Sequence, residues 1–393
     1  MIALSALGLI MLDLDGITVV AMEQAVAAPY ASGKLAQAGA RVIKIERPEG
    51  DFARRYDTLV NGESAYFVWL NHGKQSICLD VRDRSDSELM WKMLEQADVF
   101  IQNLSPSAAE KLQLDVHSVH QRFPSLIACA ISGYGQTGPY HKQKAYDLLV
   151  QAETGLCEIN GSEDKPARVG LSVCDIAAGQ AAHQSILQAL FARERYNNKS
   201  GATMPYPGRV IEISLYHALA EWMNVPYLQY RYGDRHPGRH GLNHPSIAPY
   251  GAYPCKEGKF LLISIQNERE WENLCTRVLK QPELIGQPGF ENPGSRVENR
   301  SVVDQKVANV FLQYTREEII TLLDEANIAY GRLSDLDDLL QHPQNRYANI
   351  EGENGAIDLL APATLVDGVA PLQGKVPALN EHGELIRKEF SGR

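Results

Sequence analysis

The first half of the chain alternates short β-branched runs with helical stretches, and this alternation constrains the fold more than any other feature. The runs that predict strands lie at residues 17–21, 41–46, 76–81, 99–102 and 126–132. Helical composition fills residues 29–39, 85–96 and 106–122 between them. Strands and helices in this order form a parallel sheet with helices on both faces. We therefore expect an α/β fold.

The second half of the chain predicts a smaller α/β domain. A long helix at 175–196, a strand at 209–215 and a helix at 217–232 precede an irregular stretch, 233–254, which we interpret as a linker or an active-site loop. A strand at 260–265 and helices at 268–279 and 302–314 follow, and Thr315-Arg-Glu-Glu318 fits a capping box. Since a domain takes about 150 residues, the length of the chain predicts two or three domains, and we place the smaller one at 221–335.

Charge and cysteine usage exclude several classes of function. The chain has 38 Lys and Arg against 48 Asp and Glu, which argues against nucleic acid as a main partner. Its six cysteines form no CxxC pair or metal-ligand spacing, so we expect reduced thiols. The apolar opening at residues 1–12 is too short to span a bilayer. A signal peptide begins with a basic region, whereas the first basic residue of this chain is Lys34. We predict a cytoplasmic protein with no membrane partner.

Three polar residues follow predicted strands of the sheet. Arg47 and Arg82 come just after the second and third strands, and Asn103 follows the fourth. Ligands of open parallel sheets bind outside the carboxyl ends of the strands. These residues can bind a ligand that carries phosphates, the arginines by charge and Asn103 by hydrogen bonds. The alternative is that they are solvated loop residues.

A glycine motif also follows a predicted strand. Gly133-Tyr-Gly135-Gln-Thr-Gly138 matches G-x-G-x-x-G, which on paper predicts a dinucleotide site and an NAD-binding oxidoreductase. However, Pro139 follows the third glycine, and the motif lies near the fifth strand instead of the first. We favour a tight turn that lines a pocket.

Asp175 stands at the start of the predicted long helix, before the small residues Ala177, Ala178 and Gly179. It can be an N-cap that stabilises the helix by about 1 kcal/mol. Alternatively it is a nucleophile, since the helix dipole favours its ionised form and the small residues let a bulky substrate approach. The adjacent Cys174 is the rival nucleophile.

The irregular stretch holds three histidines in nine residues, His236, His240 and His244. No carboxylate or cysteine accompanies them at ligand spacing, so we expect no metal. A flexible loop that closes over a site is one interpretation, and a plain surface linker is the other.

Ordered motifs along nearly the whole chain identify a family. The chain resembles class III (family III) coenzyme A transferases of the CaiB/BaiF-like superfamily. The motifs that carry the resemblance are Leu14-Asp-Gly-Ile-Thr-Val, Ala40-Arg-Val-Ile-Lys-Ile-Glu-Arg-Pro48, Asn71-His-Gly-Lys-Gln-Ser-Ile-Cys-Leu-Asp80, Ala97-Asp-Val-Phe-Ile-Gln-Asn103, Ser132-Gly-Tyr-Gly-Gln-Thr-Gly-Pro-Tyr140, Tyr146-Asp-Leu-Leu-Val-Gln-Ala152 and Asn243-His-Pro-Ser-Ile-Ala-Pro-Tyr250.

The resemblance implies an architecture and a coenzyme A site. Family members are homodimers with interlocked subunits, each with a large Rossmann-like domain built from both ends of the chain and a smaller domain between. For this chain the resemblance implies a large domain at 1–220 that resumes at 336–393, with the linker and the small domain at 221–335 between them. Coenzyme A acts as a co-substrate, and no cofactor is permanently bound. The positions that match the family's coenzyme A site are Arg47, Leu79, Arg82, Asn103, Leu104, Lys111, Lys144, Tyr146 and Asp147.

The resemblance also implies a covalent mechanism. Asp175 matches the family's nucleophile, which forms an acyl–aspartyl anhydride and then an aspartyl-CoA thioester. Val26 stands where formyl-CoA transferase has a glutamine, with Gln24 two positions earlier, and the segment from His244 to Tyr250 replaces that enzyme's glycine loop. These departures argue against formyl-CoA and oxalate as substrates.

The Gly241–Tyr250 pattern resembles family members that act on small dicarboxylates such as itaconate, mesaconate, citramalate or succinate, with succinyl-CoA as donor. Arg239, His240 or His244 would then bind the distal carboxylate. The other positions that the resemblance assigns to the acid substrate are Gln24, Val26 and Tyr250.

Two other functions are compatible with the same motifs. α-Methylacyl-CoA racemases share the superfamily but have a His where this chain has Tyr146, and a tyrosine is a poor proton shuttle at neutral pH. A non-catalytic CoA-binding protein is the second, and replacement of Asp175 by Ala separates it from an enzyme.

Overall fold

The protein is described by a computed structural model that covers residues 12–199, 204–234 and 236–391. The apolar opening therefore lies outside the described residues except for Leu12. The chain divides into two compact units. The larger comprises the described parts of Met1–Leu156, Arg168–Tyr227 and Arg346–Arg393, and the smaller those of Cys157–Ala167 and Leu228–Asn345.

The strands are, in chain order, β1 (Thr18–Met22), β2 (Arg41–Glu46), β3 (Gln75–Cys78), β4 (Val99–Gln102), β5 (Ile127–Ser132), β6 (Gly161–Ser162), β7 (Lys165–Pro166), β8 (Arg209–Ser214), β9 (Tyr250–Pro254), β10 (Phe260–Ser264), β11 (Tyr330–Arg332), β12 (Tyr347–Gly352) and β13 (Gly355–Leu360).

The helices are α1 (Ala27–Gln37), α2 (Ala65–Asn71), α3 (Arg84–Gln96), α4 (Pro106–Lys111), α5 (Val116–Arg122), α6 (Asp147–Glu153), α7 (Leu156–Ile159), α8 (Val173–Asn197), α9 (Leu215–Trp222), α10 (Asn224–Gly233), α11 (Glu268–Asn273), α12 (Pro293–Glu298), α13 (Arg300–Phe311), α14 (Arg316–Ala326), α15 (Leu336–Leu340) and α16 (Gly383–Phe390).

The larger unit is built on a six-stranded parallel sheet in the order β3-β2-β1-β4-β5-β8. This arrangement confirms the expected α/β fold with a parallel sheet. The order reverses between β1 and β4, since the chain runs outward from β1 to β3 and then returns to β4. A crevice opens at such a switch point, outside the carboxyl ends of the strands.

Both faces of this sheet are buried, as the continuous apolar strands predict. In β1, Val19 and Ala21 pack on the face covered by α1 and α8, while Val20 and Met22 pack on the opposite face. The opposite face is covered by α3 and α5, together with the C-terminal helix α16. Ile386 and Phe390 of α16 are buried there, so the end of the chain completes the core of the larger unit.

The smaller unit holds a three-stranded antiparallel sheet, β11-β10-β9, and a core of its own. The predicted capping box is confirmed at α14, where Thr315 and Glu318 each accept the other's backbone N–H. Strand β9 was not expected, because its residues ended the irregular stretch.

Several predicted helices are interrupted. The helix expected at 217–232 is two helices, α9 and α10, separated by Met223. The one expected at 268–279 is α11 followed by a π-helical turn at Leu274–Val278. The predicted strand at 76–81 ends earlier, at Cys78, although Leu79 still donates its N–H to the O of Glu46 in β2 at 2.9 Å. Pro226, in the first turn of α10, is a local signal for the break at Met223, because a proline inside a helical pattern ends the preceding helix. The other two segments carry no such signal.

Candidate functional site

Two adjoining cavities of the larger unit open at the switch point of the sheet. Their volumes are 460 and 520 Å³. Gln24, which follows β1, and Leu104, which follows β4, line both. A long ligand can therefore occupy the two cavities together, which is the expected location for a ligand of an open parallel sheet.

The first cavity brings together four of the residues predicted from the sequence, namely Arg47, Leu79, Arg82 and Leu104. Leu79 is buried in its wall, whereas Arg47 and Arg82 are exposed. The guanidinium of Arg82 donates to both carboxylate oxygens of Asp80, at 2.8 Å each. The cavity therefore offers two arginines to an anionic ligand, one of them already paired. Lys111 lies exposed at the end of α4 and is not among the residues that line either cavity.

The second cavity contains Asp175 and most of the other predicted residues. Its lining includes Gln24, Val26, Asn103, Leu104, Lys144, Tyr146, Asp147 and Asp175, with Arg168 as a cation that the sequence analysis did not single out. Asp175 is half-buried, and Tyr146 is 66% exposed. The site thus places one carboxylate of α8 in the cavity that adjoins the one lined by the two arginines.

Helix α8 begins at Val173, so Asp175 lies in its first turn and is not the N-cap that one reading of the sequence expected. Ser172 holds the N-cap position but makes no capping hydrogen bond through its side chain. Instead Asp147 of α6 caps the helix from outside. Its Oδ1 accepts the backbone N–H of Cys174 at 2.8 Å and that of Asp175 at 3.4 Å. The cap leaves the Asp175 carboxyl available to the cavity.

The electrostatic environment of Asp175 is opposite to the one expected from the helix dipole alone. Burial raises the pKa of Asp175, and the nearby charge of Asp147 raises it further, to about 7. The carboxylate therefore titrates near neutral pH. A desolvated anion of this kind is a better nucleophile than a carboxylate in water.

Cys174, the rival nucleophile, is fully buried on α8. Its Sγ contacts the backbone O of Asp147 at 3.3 Å. The cavity lining includes Asp175 but not Cys174, so the two neighbours face different surroundings. This geometry favours the carboxylate.

Asn103 has a partner within the protein. Its Oδ1 accepts the N–H of Gln24 at 3.0 Å, and its Nδ2 donates to the O of Gln24 at 2.8 Å. The following residue, Ala25, adopts a left-handed conformation with φ of 63° and donates its N–H to Asp51 at 3.1 Å. Because left-handed backbone is unfavourable for Ala, these bonds hold the loop before α1 in one shape.

Sequence reasoning missed the buried ion cluster beneath this loop. Lys44 Nζ lies 2.9 Å from Asp51 Oδ2 and 3.5 Å from Glu23 Oε1, and Lys74 Nζ lies 2.7 Å from Glu23 Oε1. All four side chains are fully buried. The available signal was Lys44 itself, because it stands in the middle of a β-branched strand that both faces of the sheet bury.

The opposite charges of this cluster stabilise one another's ionised forms. Burial raises the pKa of Glu23, but the charges of Lys74 and Lys44 outweigh it and hold the pKa below its usual value. Burial lowers the pKa of Lys74 to about 8, even though Glu23 opposes it. The cluster supports the loop between β1 and α1, since Glu23 precedes Gln24 and Asp51 binds the N–H of Ala25.

The residues predicted to bind an acid, Arg239, His240, His244 and Tyr250, all belong to the smaller unit. Arg239 and His240 line a cavity of 790 Å³ in that unit. The guanidinium of Arg239 is occupied by the carboxylate of Glu158 at 2.8 Å and by three backbone carbonyls. His244 and Tyr250 stack with ring centroids 5.1 Å apart. Arg239 therefore joins its own loop to the segment 158–163 of the smaller unit by hydrogen bonds.

The glycine motif is a loop, not a dinucleotide fingerprint. Gly135 and Gly138 have φ of 102° and 91°, and the next helix begins only at Asp147. The segment bends along its length, and the NAD site predicted on paper lacks its helix N-terminus.

Within the described residues, no group of three or more His, Cys, Asp and Glu side chains has an arrangement able to hold a metal ion. Of the helices in that part of the chain, none combines the length and the apolar character needed to cross a bilayer.

Comparison with known proteins gives consistent similarities. The family model described as CoA-transferase family III matches residues 14–383. The chain is 29% identical to the succinyl-CoA:glutarate CoA-transferase of Mus musculus, over 96% of this chain and 86% of that protein. It is 28% identical to the acetyl-CoA:oxalate CoA-transferase of Acetobacter aceti, over 96% and 95% respectively. The crystal structure of a CAIB/BAIF family protein from Brucella suis superposes with a TM-score of 0.82 at 29% identity, covering 96% of this chain and 99% of that one.

Proposed function

The chain belongs to CoA-transferase family III, and from this premise we propose that it transfers coenzyme A from an acyl-CoA donor, succinyl-CoA or a similar thioester, to a small dicarboxylic acid such as itaconate, mesaconate or citramalate. The observation that carries the proposal is Asp175, a desolvated carboxylate in a cavity that adjoins a second cavity with two arginines.

The two cavities match the two ends of coenzyme A. Arg47 and Arg82 line the first and would bind the phosphates by charge, with Leu79 in the wall. The pantetheine would pass Gln24 and Leu104, which line both cavities, and bring its sulfur to Asp175. Lys144 and Tyr146 line the second cavity along this path. Contacts of Asn103, Lys111 and Asp147 with coenzyme A stay predictions, since Asn103 and Asp147 already have partners in the protein.

The reaction would proceed through Asp175 as a covalent carrier. Its carboxylate oxygen attacks the thioester carbon of the donor, the carbon–sulfur bond breaks, and CoA thiolate leaves an acyl–aspartyl anhydride. The thiolate then attacks the aspartyl carbonyl carbon, which expels the donor acid and forms the aspartyl-CoA thioester. The acceptor carboxylate repeats these steps in reverse order and restores Asp175. No net proton is gained or lost, because one carboxylate enters as another leaves.

Each tetrahedral intermediate carries an oxyanion that needs hydrogen-bond donors. Helix α1 begins beside the cavity without a side-chain cap, and Val26 and Ala27 line the cavity. The first N–H groups of a helix have no partner within it and lie at the positive end of its dipole. These backbone donors are suited to the oxyanion, and the ion cluster beneath the loop holds them in place.

The pH dependence of the reaction follows from Asp175 and Asp147. Only ionised Asp175 attacks, so kcat/KM for the acyl-CoA donor should rise with pH and level off above about 7. Asp147→Asn removes one cause of the raised pKa, so the pKa of Asp175 falls and the rise moves to lower pH. Burial still holds the pKa of Asp175 above the ordinary value of an aspartate in this variant. The measurement is a pH–rate profile from about pH 5 to about pH 9.

Asp83→Asn is the matched control, because Asp83 caps α3 as Asp147 caps α8. Its profile should match that of the wild type. A profile that stays unchanged in Asp147→Asn would show that Asp147 does not act on the nucleophile.

The acceptor acid is tested by a panel of acids with succinyl-CoA as donor. We expect itaconate, mesaconate, citramalate and glutarate to accept coenzyme A with a higher kcat/KM than monocarboxylates of equal length, and oxalate to be a poor acceptor. A preference for monocarboxylates would contradict the proposed acceptor class, although not the transfer reaction itself.

We also propose that the protein forms the interlocked homodimer of its family and acts in the cytoplasm. Helix α10 supports the dimer, since it buries none of its residues and exposes Val225, Tyr227, Tyr230 and Tyr232. Exposed aromatic clusters of this kind mark protein interfaces.

A further inference from the structure

A dicarboxylate acceptor has one carboxylate that reacts and one that does not. The second must be held by a cation, because a site that leaves an anion unpaired in a confined cavity binds it poorly. Arg239, which the sequence suggested for this purpose, already binds Glu158 and three carbonyls. The cation should therefore be sought in the cavity that holds Asp175.

Arg168 and Lys144 are the Arg and Lys side chains among the described residues that line this cavity. Lys144 lies on the loop that precedes Asp147, and the family resemblance implies that Lys144 binds coenzyme A. Arg168 is exposed, and the part of the chain that the structure describes offers its guanidinium neither an ion pair nor a hydrogen bond. A guanidinium with free donors can bind a carboxylate through two parallel hydrogen bonds.

The backbone that carries Arg168 is held firmly despite the exposure of the side chain. The amide of Gln151, which is fully buried, accepts the N–H of Val169 at 2.9 Å and donates to the carbonyls of Val169 at 3.4 Å and Leu171 at 3.3 Å. The same amide donates to Asp147 Oδ2 at 2.7 Å.

Asp147 in turn caps the helix that carries Asp175. One connected network thus fixes both the segment after Arg168 and the first turn of α8. Hydrogen bonds therefore hold the backbone next to Arg168 in place relative to the first turn of α8, which carries Asp175. A fixed backbone at both positions suits selection among acids of different length.

We propose that Arg168 binds the non-reacting carboxylate of the acid and thereby makes the enzyme selective for dicarboxylates. The inference rests on the proposed transferase reaction and assigns its specificity to one side chain. Arg168 takes no part in bond formation; it positions the acid for its exchange at Asp175.

The test uses pairs of acids that differ only in the distal charge: succinate and glutarate, each with its half-amide. Acetyl-CoA is the donor, so that the donor itself carries no second carboxylate. In the wild type, each diacid should have a higher kcat/KM than its half-amide. Arg168→Leu should lower kcat/KM for the diacids by about 10- to 100-fold, and for the half-amides by less than about threefold, since it removes a charge-assisted hydrogen bond made only to the diacids. Arg168→Lys should recover part of the preference.

Lys144→Met is the matched control, since it removes the other cation of the same cavity. It should raise the KM for acetyl-CoA and leave the ratio of diacid to half-amide unchanged. An unchanged ratio in Arg168→Leu, with transfer intact in the wild type, would overturn the role of Arg168 and leave the proposed function standing. A wild-type protein that transfers coenzyme A to none of the four acids from acetyl-CoA, and not to glutarate from succinyl-CoA either, would overturn both.

Discussion

Replacement of Asp175 by Ala should abolish CoA transfer while the protein still binds coenzyme A. The loss should reach at least about 10⁴-fold in kcat, because the side chain that carries the acyl group and then the coenzyme is removed. Binding should persist because Arg47 and Arg82 line the other cavity. Steady-state transfer assays measure the first effect, and calorimetric titration with coenzyme A measures the second.

Cys174→Ala provides the neighbouring control, since Cys174 is buried and does not line the cavity. It should retain transfer within a few-fold of the wild type. Substantial transfer by Asp175→Ala, or its loss in Cys174→Ala alone, would assign the covalent step to another group. Coenzyme A binding by a wild type without any turnover would support a non-catalytic binding protein instead.

Lys44→Met should destabilise the protein strongly. The change leaves the carboxylates of Glu23 and Asp51 buried with one cation fewer, and removal of one partner from a buried ion pair costs about 3–5 kcal/mol. The free energy of unfolding, measured with denaturant in wild type and variant, gives the effect.

Arg41→Met is the matched control on the same strand. Arg41 pairs with Glu389 at 2.6 Å, but both side chains are partly exposed, so its loss should cost about 1 kcal/mol or less. Equal costs for the two variants would show that the buried cluster does not stabilise the fold. The loop that Asp51 supports lines the cavity that contains Asp175, so Lys44→Met should also lower kcat at temperatures where the protein stays folded.

The parts of the fold that depend on local pattern were predictable. Strands β1 to β5 and β8 are short apolar runs bounded by polar residues, and their alternation with helices is sufficient to predict a parallel sheet. The capping box at Thr315 is likewise a local signal. Strand order depends on packing between distant segments, and a single sequence does not record that packing. The break at Met223 did have a local signal in Pro226, which the expectation of one continuous helix overlooked.

The site shows the same division. Arg47 and Asn103 were found because they follow strands, and the family resemblance indicated Asp175. The contacts that determine how these residues act join distant positions. Asp147 caps a helix that begins 26 residues later, and Arg239 binds a glutamate 81 residues away. Because neither pair has a sequence signature, the sequence left the N-cap as one interpretation of Asp175 and did not show that Arg239 has partners within the protein.

The central claim is that Asp175 becomes covalently linked during the reaction, and mass spectrometry of trapped enzyme tests it most directly. Protein incubated with succinyl-CoA and then treated with hydroxylamine or borohydride should carry a modification on the peptide that contains Asp175, because both reagents attack the activated aspartyl carbonyl. Omission of the acyl-CoA should leave that peptide unmodified. A modification on any other peptide, or none while transfer proceeds, would contradict the account.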